Sequence, residues 1–318
     1  KYNGWPIGLW ITSSVHTHMR SDIIDFSIKD LERVFRDFLH SGAVAAVALM
    51  RLLDEFKPDV LFQFNGRMSS TRIAFELARL RGIRVVCHER GMQDEHIVLF
   101  NNTACYQIET PMMVKDAWKD VPLKRDEILK ITRYMQGRRN GKGTAWRKFT
   151  SQPQQRAEIR KELGFEDESR PLWALFTSST DEFINANHWN GPFTWQDDWV
   201  SDTVEFAREH PEIDLVIRIH PCIGGVKAHG ANARELAKME VIKKVLPSNV
   251  RMIMPADPIS SYTLMDMATL GLIYQSTVGL EMAVTGKQVV FGSGCWFSGT
   301  PFMNAVDTRE EYSGLLER

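Results

Sequence analysis

Short apolar runs alternate with amphipathic stretches along this chain, and that alternation leaves few folds open. Residues 60–64, 83–87, 172–176, 215–219, 250–254, 270–274 and 289–291 are runs of strand length, rich in branched and aromatic side chains. Stretches with helical spacing separate them: 28–56, expected to break near Ser41-Gly42, then 69–82, 196–210, 232–245, 260–268 and 276–286. Ser69 and Ser70 stand where they can cap the second of these, and Gly82 where it can end it. Residues 7–11 read as a further short buried strand. Strand and helix in repeated order build a parallel sheet covered by helices, so the expected fold class is α/β.

The pattern pauses once and restarts. Residues 133–148 hold no acidic side chain, while Arg133, Arg138, Arg139, Lys142, Arg147 and Lys148 are interleaved with Gly137, Gly141 and Gly143. This basic, glycine-containing stretch, taken to residue 150, is the expected linker between domains 1–150 and 151–318. A chain of 318 residues has room for two such domains. As a linker it is a solvated hinge, or a contact for an anionic acceptor, a membrane surface or a partner protein.

Composition removes several function classes. Thirty-nine Lys and Arg against 40 Asp and Glu leave a net charge of -1, without the basic footprint of a nucleic-acid binder. Cys87, Cys105, Cys222 and Cys295 are scattered, with no CxxC pair to suggest zinc, and fit a reducing cytosol. No apolar run approaches the roughly 20 residues that span a bilayer. The chain opens at Lys1 rather than Met, so further domains are expected beyond it.

Open parallel sheets bind ligands beyond the carboxyl ends of their strands, so polar residues that follow strands deserve first weight. In Tyr274-Gln275-Ser276-Thr277-Val278-Gly279-Leu280-Glu281, hydroxyl residues begin a helix whose backbone N–H groups suit phosphate oxygens. Glu281 lies about one turn deeper, where a carboxylate can accept from two ribose hydroxyls. A plain N-cap followed by a surface acid is the competing reading. In Arg218-Ile219-His220-Pro221, proline stops the strand and leaves His220 at its lip, for a phosphate or for proton transfer. Arg218 alternates with its apolar neighbours, so it either joins His220 in holding the nucleotide or faces another surface. Ser178, Ser179 and Thr180 form either an opposite wall of exposed amides and hydroxyls or a helix cap.

In the first half, His88-Glu89-Arg90-Gly91-Met92-Gln93-Asp94-Glu95-His96 crowds titratable groups after a strand. His88 and Glu89 are the expected catalytic candidates, one or the other supplying a base or a nucleophilic carboxylate. Arg90 and Asp94, with Asn65 and Arg67 after the preceding strand, are expected on the acceptor side. His88 and His96 lack metal-ligand spacing, and no metal is expected. Trp189, Phe193, Trp195 and Trp199 are either packing for a long loop or a platform for sugar rings. Neither GxGxxG nor GxxxxGK[ST] occurs.

Taken in order, His88-Glu89-Arg90-Gly91, Thr177-Ser178-Ser179-Thr180-Asp181-Glu182-Phe183, Gln196-Asp197-Asp198-Trp199, Arg218-Ile219-His220-Pro221, Ser260-Ser261-Tyr262 and Ser276-Thr277-Val278-Gly279-Leu280-Glu281 form one series. Over residues 60–295 it resembles the bacterial capsule polysaccharide biosynthesis proteins, a group that includes Kdo transferases of the GT-B fold. The resemblance implies two Rossmann-like domains whose parallel sheets face across a cleft. It implies a nucleotide-sugar donor as co-substrate, with no other cofactor, held by the second domain. His220, Ser276 and Thr277 would lie near phosphate, Glu281 near ribose and Tyr262 in the same site. A glycan or glycolipid acceptor would enter from the first domain. The implied activity is a metal-independent glycosyltransferase of surface polysaccharide synthesis, cytoplasmic or peripheral to the inner face of the membrane. Two rivals stand beside it: a non-hydrolysing nucleotide-sugar epimerase, and a non-catalytic nucleotide- or glycan-binding module of a larger assembly protein.

Overall fold

Ile7, Trp10 and Ile11 are buried at intervals of three and four, the repeat of a helix face. In a computed structural model they form helix α1 (Ile7–Trp10), where a strand was expected; Pro6 sits at its N-cap. The structure describes residues 2–91, 95–105, 109–140, 153–165, 167–182, 191–225, 230–303 and 306–318. Its contacts divide the chain into unit 1, Lys1–Thr110 with Thr180–Asn187, and unit 2, Pro111–Ser179 with His188–Arg318.

In unit 1, α1 leads into α2 (Thr12–Met19) and α3 (Leu31–Phe56). α3 runs unbroken through Ser41-Gly42, contrary to expectation. Gly42 serves contact rather than interruption: a Cβ there would lie 3.1 Å from Ile7 and Ile11 and 3.2 Å from Ile73. The missing side chain lets α3 lie close against the Ile7–Ile11 turn and α4 (Ser69–Leu80). Neither Ser69 nor Ser70 caps α4; Ser14 Oγ, from α2, accepts the Ser69 N–H at 2.7 Å. Gly82 follows α4 with φ +68°, the left-handed conformation anticipated for it.

The sheet of unit 1 has the order β1 (Val60–Phe64), β2 (Arg84–Arg90), β3 (Ile97–Asn101). β1 and β2 are parallel, β2 and β3 antiparallel. The expected end of β2 at Cys87 is corrected by β3, whose Leu99, Val98 and Ile97 pair with His88, Glu89 and Arg90. Those three residues therefore lie within a strand. Val85, Cys87 and Phe100 pack with Ile73 and Leu77 of α4 and Leu53 of α3.

Unit 2 opens with α5 (Glu109–Trp118), α6 (Arg125–Asn140) and α7 (Arg156–Glu162). Residues 133–140 of the expected linker are thus the last turns of α6, and 141–150 lie outside the described residues. Then follow β4 (Leu172–Phe176), α8 (Gln196–Glu209), β5 (Asp214–Arg218), α9 (Ala233–Lys243), β6 (Val250–Ile253), α10 (Ser261–Met267), β7 (Leu270–Ile273), α11 (Val278–Val284), β8 (Gln288–Phe291) and α12 (Arg309–Leu316). All five strands are parallel, in the order β6-β5-β4-β7-β8.

Alternation along the strands serves two cores. Leu215 and Ile217 join Trp199 and Val204 of α8, Met239 of α9 and Tyr312 of α12. Ala174, Phe176 and Val216 join Ile159 of α7, Leu264 of α10 and Met282 of α11. Burial on both faces explains why these strands read as continuous apolar runs. Phe193 and Trp199 are core residues, which answers the platform reading for those two; Trp189 lies outside the described residues. Among the described residues no helix is long and apolar enough to cross a membrane.

Candidate functional site

β4 occupies the middle of the unit 2 sheet. The chain adds β5 and β6 on one side, then returns to add β7 and β8 on the other. The direction reverses between β4 and β7, and the crevice beyond such a switch point is where open α/β sheets bind ligands. Thr177-Ser178-Ser179 leave β4 there and Tyr274-Gln275-Ser276-Thr277 leave β7, with His220 beyond neighbouring β5.

Gln275 turns the chain out of β7 with φ +54°, and its side-chain amide donates to Ser293 Oγ at 3.0 Å. Ser276 Oγ accepts the Val278 N–H at 3.3 Å, and its carbonyl accepts the Gly279 N–H at 3.2 Å. The N–H groups of Ser276 and Thr277 and the Thr277 hydroxyl find no acceptor among the described residues. Donors left open at a strand-to-helix turn form an anion-binding arrangement.

His220 donates its N–H to Thr177 Oγ1 at 2.8 Å, while its Nδ1 accepts the Cys222 N–H at 3.2 Å. With Nδ1 as acceptor, the neutral ring carries its proton on Nε2 and presents a donor. That tautomer suits a phosphate oxygen. Arg218 is buried, donates to the Met254 carbonyl at 2.6 Å and makes no ion pair among the described residues. Burial pulls its pKa down, against the smaller opposing pull of the Asp257 charge.

The β4 side differs from expectation in one respect. The Ser178 N–H is engaged: Gln196 Oε1 accepts it at 2.6 Å, and Gln196 Nε2 donates to the Ser178 carbonyl and to Glu235. Ser178 therefore offers a hydroxyl rather than an open amide. Ser179 is buried at this edge, and Thr180 begins a single 3-10 turn that belongs to unit 1.

Glu281 is a buried acid, not a surface one. Its Oε1 lies 2.7 Å from an Arg138 guanidinium nitrogen at the end of α6, while its Oε2 and Arg138 Nε are buried with no hydrogen-bond partner among the described residues. Burial pulls the Arg138 pKa down, but the charges of Glu281 and Tyr134 outweigh it and hold the guanidinium protonated. Tyr262 lies beside the pair, and burial together with Glu281 pushes its phenol up to about 12. Arg139 stands over the Tyr262 ring at 5.2 Å and pairs with Asp266. The basic stretch of the sequence thus reaches carboxylates of its own chain, a partnership without a local signal.

In unit 1 the structure brings Asn65 and Glu89 together. Asn65 Nδ2 donates to Glu89 Oε2 at 2.5 Å, and Glu89 Oε1 accepts the Arg90 N–H at 2.9 Å. Asn65 is fixed in turn, with φ +59° and its Oδ1 accepting the Arg67 N–H at 3.0 Å. A Cβ on Gly66 would lie 2.7 Å from Cys87 Sγ, so this tight approach requires glycine. His88, the next residue back in the strand, points to the opposite face. There it stacks on Phe62 at 5.0 Å and meets Phe64 edge-on at 5.7 Å. His88 and Glu89 therefore lie on opposite faces of the sheet. Arg90 is exposed, and Asp94 lies outside the described residues.

A second polar cluster of unit 1 had no sequence signal. Arg20 pairs with Asp181 at 2.5 Å, both buried, and His16 Nδ1 donates to the Ser21 carbonyl at 2.8 Å. The two halves of the ion pair are 161 residues apart, beyond any local motif. Among the described residues no group of three or more His, Cys, Asp or Glu is placed to hold a metal ion.

No family model and no curated protein matches the chain. Solved structures do. A KpsC β-Kdo 2,4 transferase from Thermosulfurimonas dismutans aligns at 14% identity and TM-score 0.51, over 80% of this chain and 77% of that one. The KpsC β-Kdo 2,7 transferase of the same organism aligns at 13% identity and TM-score 0.46, over 81% and 74%. A UDP-GlcNAc 2-epimerase from Methanocaldococcus jannaschii, in complex with UDP-GlcNAc and UDP, aligns at 11% identity and TM-score 0.38, over 98% and 89%. The first of these likenesses shows the fold: the chain has the GT-B-like α/β architecture of a Kdo transferase.

Proposed function

We propose that unit 2 binds a nucleotide-activated sugar and that the protein transfers this sugar to a hydroxyl of a glycan or glycolipid acceptor. One observation carries the reading: the unengaged N–H groups of Ser276 and Thr277 and the Thr277 hydroxyl stand at the switch point of a doubly wound sheet. The His220 Nε2–H and the buried Arg218 add a donor and a positive charge on the same sheet edge. Phosphate gains charge as the bond to the anomeric carbon breaks, so donors already in place favour the transition state over the ground state.

Glu281 would take the ribose hydroxyls through its Oε2, with Arg138 holding its Oε1. Tyr262 would close the same pocket. In unit 1, Glu89, oriented by Asn65, would be the catalytic carboxylate, with Arg67 and Arg90 on the acceptor side. On this reading the protein works on the cytoplasmic side, in assembly of a bacterial surface polysaccharide.

Calorimetry with CMP, UDP, GDP and ADP and their sugars tests the donor site. Thr277→Val and Glu281→Ala should each weaken the preferred nucleotide about tenfold, the scale of one hydrogen bond to a charged group. Unchanged affinity in both variants would remove the cradle. Product analysis by NMR separates the two enzyme readings. A sugar altered without an acceptor marks an epimerase, and one joined to a new hydroxyl marks a transferase.

A further inference from the structure

Unit 2 holds a buried acid beyond the residues of the donor site. Glu235 lies in the first turn of α9 and is only 4% exposed. Two side-chain amides meet its carboxylate, and backbone donors fix the direction of both. Gln196 Oε1 accepts the Ser178 N–H at 2.6 Å, so its Nε2 is the end that donates to Glu235 Oε1. Asn232, the N-cap of α9, accepts the Glu235 N–H on Oδ1 at 3.1 Å. Its Nδ2 is then the end that donates to Glu235 Oε2, at 3.0 Å. Position 235 must therefore accept on both oxygens, which a carboxylate does and an amide cannot.

The bonds continue into the two strand ends that carry the donor site. Asn232 donates its N–H to the Ile223 carbonyl at 2.9 Å. Ile223 donates its own N–H to the His220 carbonyl at 3.0 Å, across the 3-10 turn Pro221–Gly224. His220 in turn donates its N–H to Thr177 Oγ1 at 2.8 Å, beside Ser178. The path thus returns to its start, a closed circuit around the ends of β4 and β5. Thr177, Ser178, Gln196, Asn232 and Glu235 are all buried, where a missing partner is costly and a complete set makes the arrangement rigid.

We propose that Glu235 is a positioning residue of the donor site, holding the Ser178 edge through Gln196 and the His220 turn through Asn232. The inference rests on the nucleotide-binding reading of unit 2 and not on transfer. Glu235 touches no ligand. Its effect is that both segments are ordered on folding, so that binding a phosphate does not have to order them.

Glu235→Gln tests the assignment, because the amide keeps the size of the side chain but turns a donor toward Asn232 or Gln196. Calorimetry should show the preferred nucleotide bound about tenfold more weakly. NMR titration should show the corresponding nucleoside, which lacks phosphate, bound as in the parent. Adding Asn232→Asp supplies an acceptor for the new amide and still caps α9, so the double variant should regain the parental affinity. Asn232→Asp alone sets two carboxylates together and should weaken the nucleotide as Glu235→Gln does. Parental nucleotide affinity in Glu235→Gln overturns the proposal, and so does an equal loss for nucleoside and nucleotide. If Glu235→Gln does not fold, the double variant decides: parental affinity supports the positioning role, and a folded double variant with weakened binding overturns it. A parent that binds none of CMP, UDP, GDP and ADP removes the nucleotide reading and this assignment with it. A parent that binds, beside an unaffected Glu235→Gln, removes the positioning role alone.

Discussion

Glu281 and Arg138 show how a site residue is prepared by a partner that no motif announces. Each is largely withheld from water, and each keeps one polar atom without a partner. Removing one charge leaves the other buried alone, which costs about 3 kcal/mol in such pairs, whereas removing both together costs far less. Arg138→Met should therefore lower the urea-derived stability by about that amount, and Arg138→Met with Glu281→Leu should recover most of it. Nucleotide affinity should fall in both, because the single variant loses the group that holds Glu281 in place and the double variant loses the carboxylate. A double variant with parental affinity would remove Glu281 from the site. Sequence spacing placed Ser276, Thr277 and His220 at strand ends because turn, cap and strand end are local features. It singled out Glu281 beyond the turn but gave no sign of Arg138, since that arginine comes from a stretch read as a linker. It named His88 and Glu89 as neighbours without showing that they face opposite ways; the strand that shows this, β3, follows a dense run of charges that masked it.

Among the elements, α11 is the one whose position matters most to the donor site, and a glycine sets it. A Cβ on Gly279 would lie 2.5 Å from Phe291 Cζ, a fully buried ring of β8, so the start of α11 lies on the sheet without a side chain between them. Gly271 of β7 allows the same closeness to Met282. Gly279→Ala should cost about 1–3 kcal/mol by overpacking and should move the Ser276–Thr277 turn with the helix. The measurement is paired: thermal denaturation for the first effect, nucleotide calorimetry for the second. A loss of stability with intact affinity would separate the turn from the binding site. Elements of unit 2 were legible because strands buried on both faces give unbroken apolar runs bounded by polar turns. Those of unit 1 were less so. A four-residue helix at 7–10 and a five-residue strand look alike in an apolar run, and Gly42 inside α3 has the appearance of a breaker when its role is close contact.

For the whole molecule, the two units carry different kinds of evidence. Unit 2 has a switch point, open donors and a buried acid, all on one doubly wound sheet. Unit 1 has fixed carboxylates and a histidine of defined tautomer on a three-stranded mixed sheet and its helices. A ligand that binds only the folded state stabilises it by about 2.7 kcal/mol at a hundred times its Kd. The preferred nucleotide at that excess should therefore raise the thermal midpoint, and hydrogen exchange should locate the cause. Amides at 273–281, which hold the open donors, should slow most, together with those at 218–222 around His220. Slowing confined to unit 1 would place the nucleotide on the wrong sheet and take the donor assignment with it, because no arrangement of open amides comparable to the Ser276 turn supports a phosphate among the Asn65, Glu89 and His16 contacts.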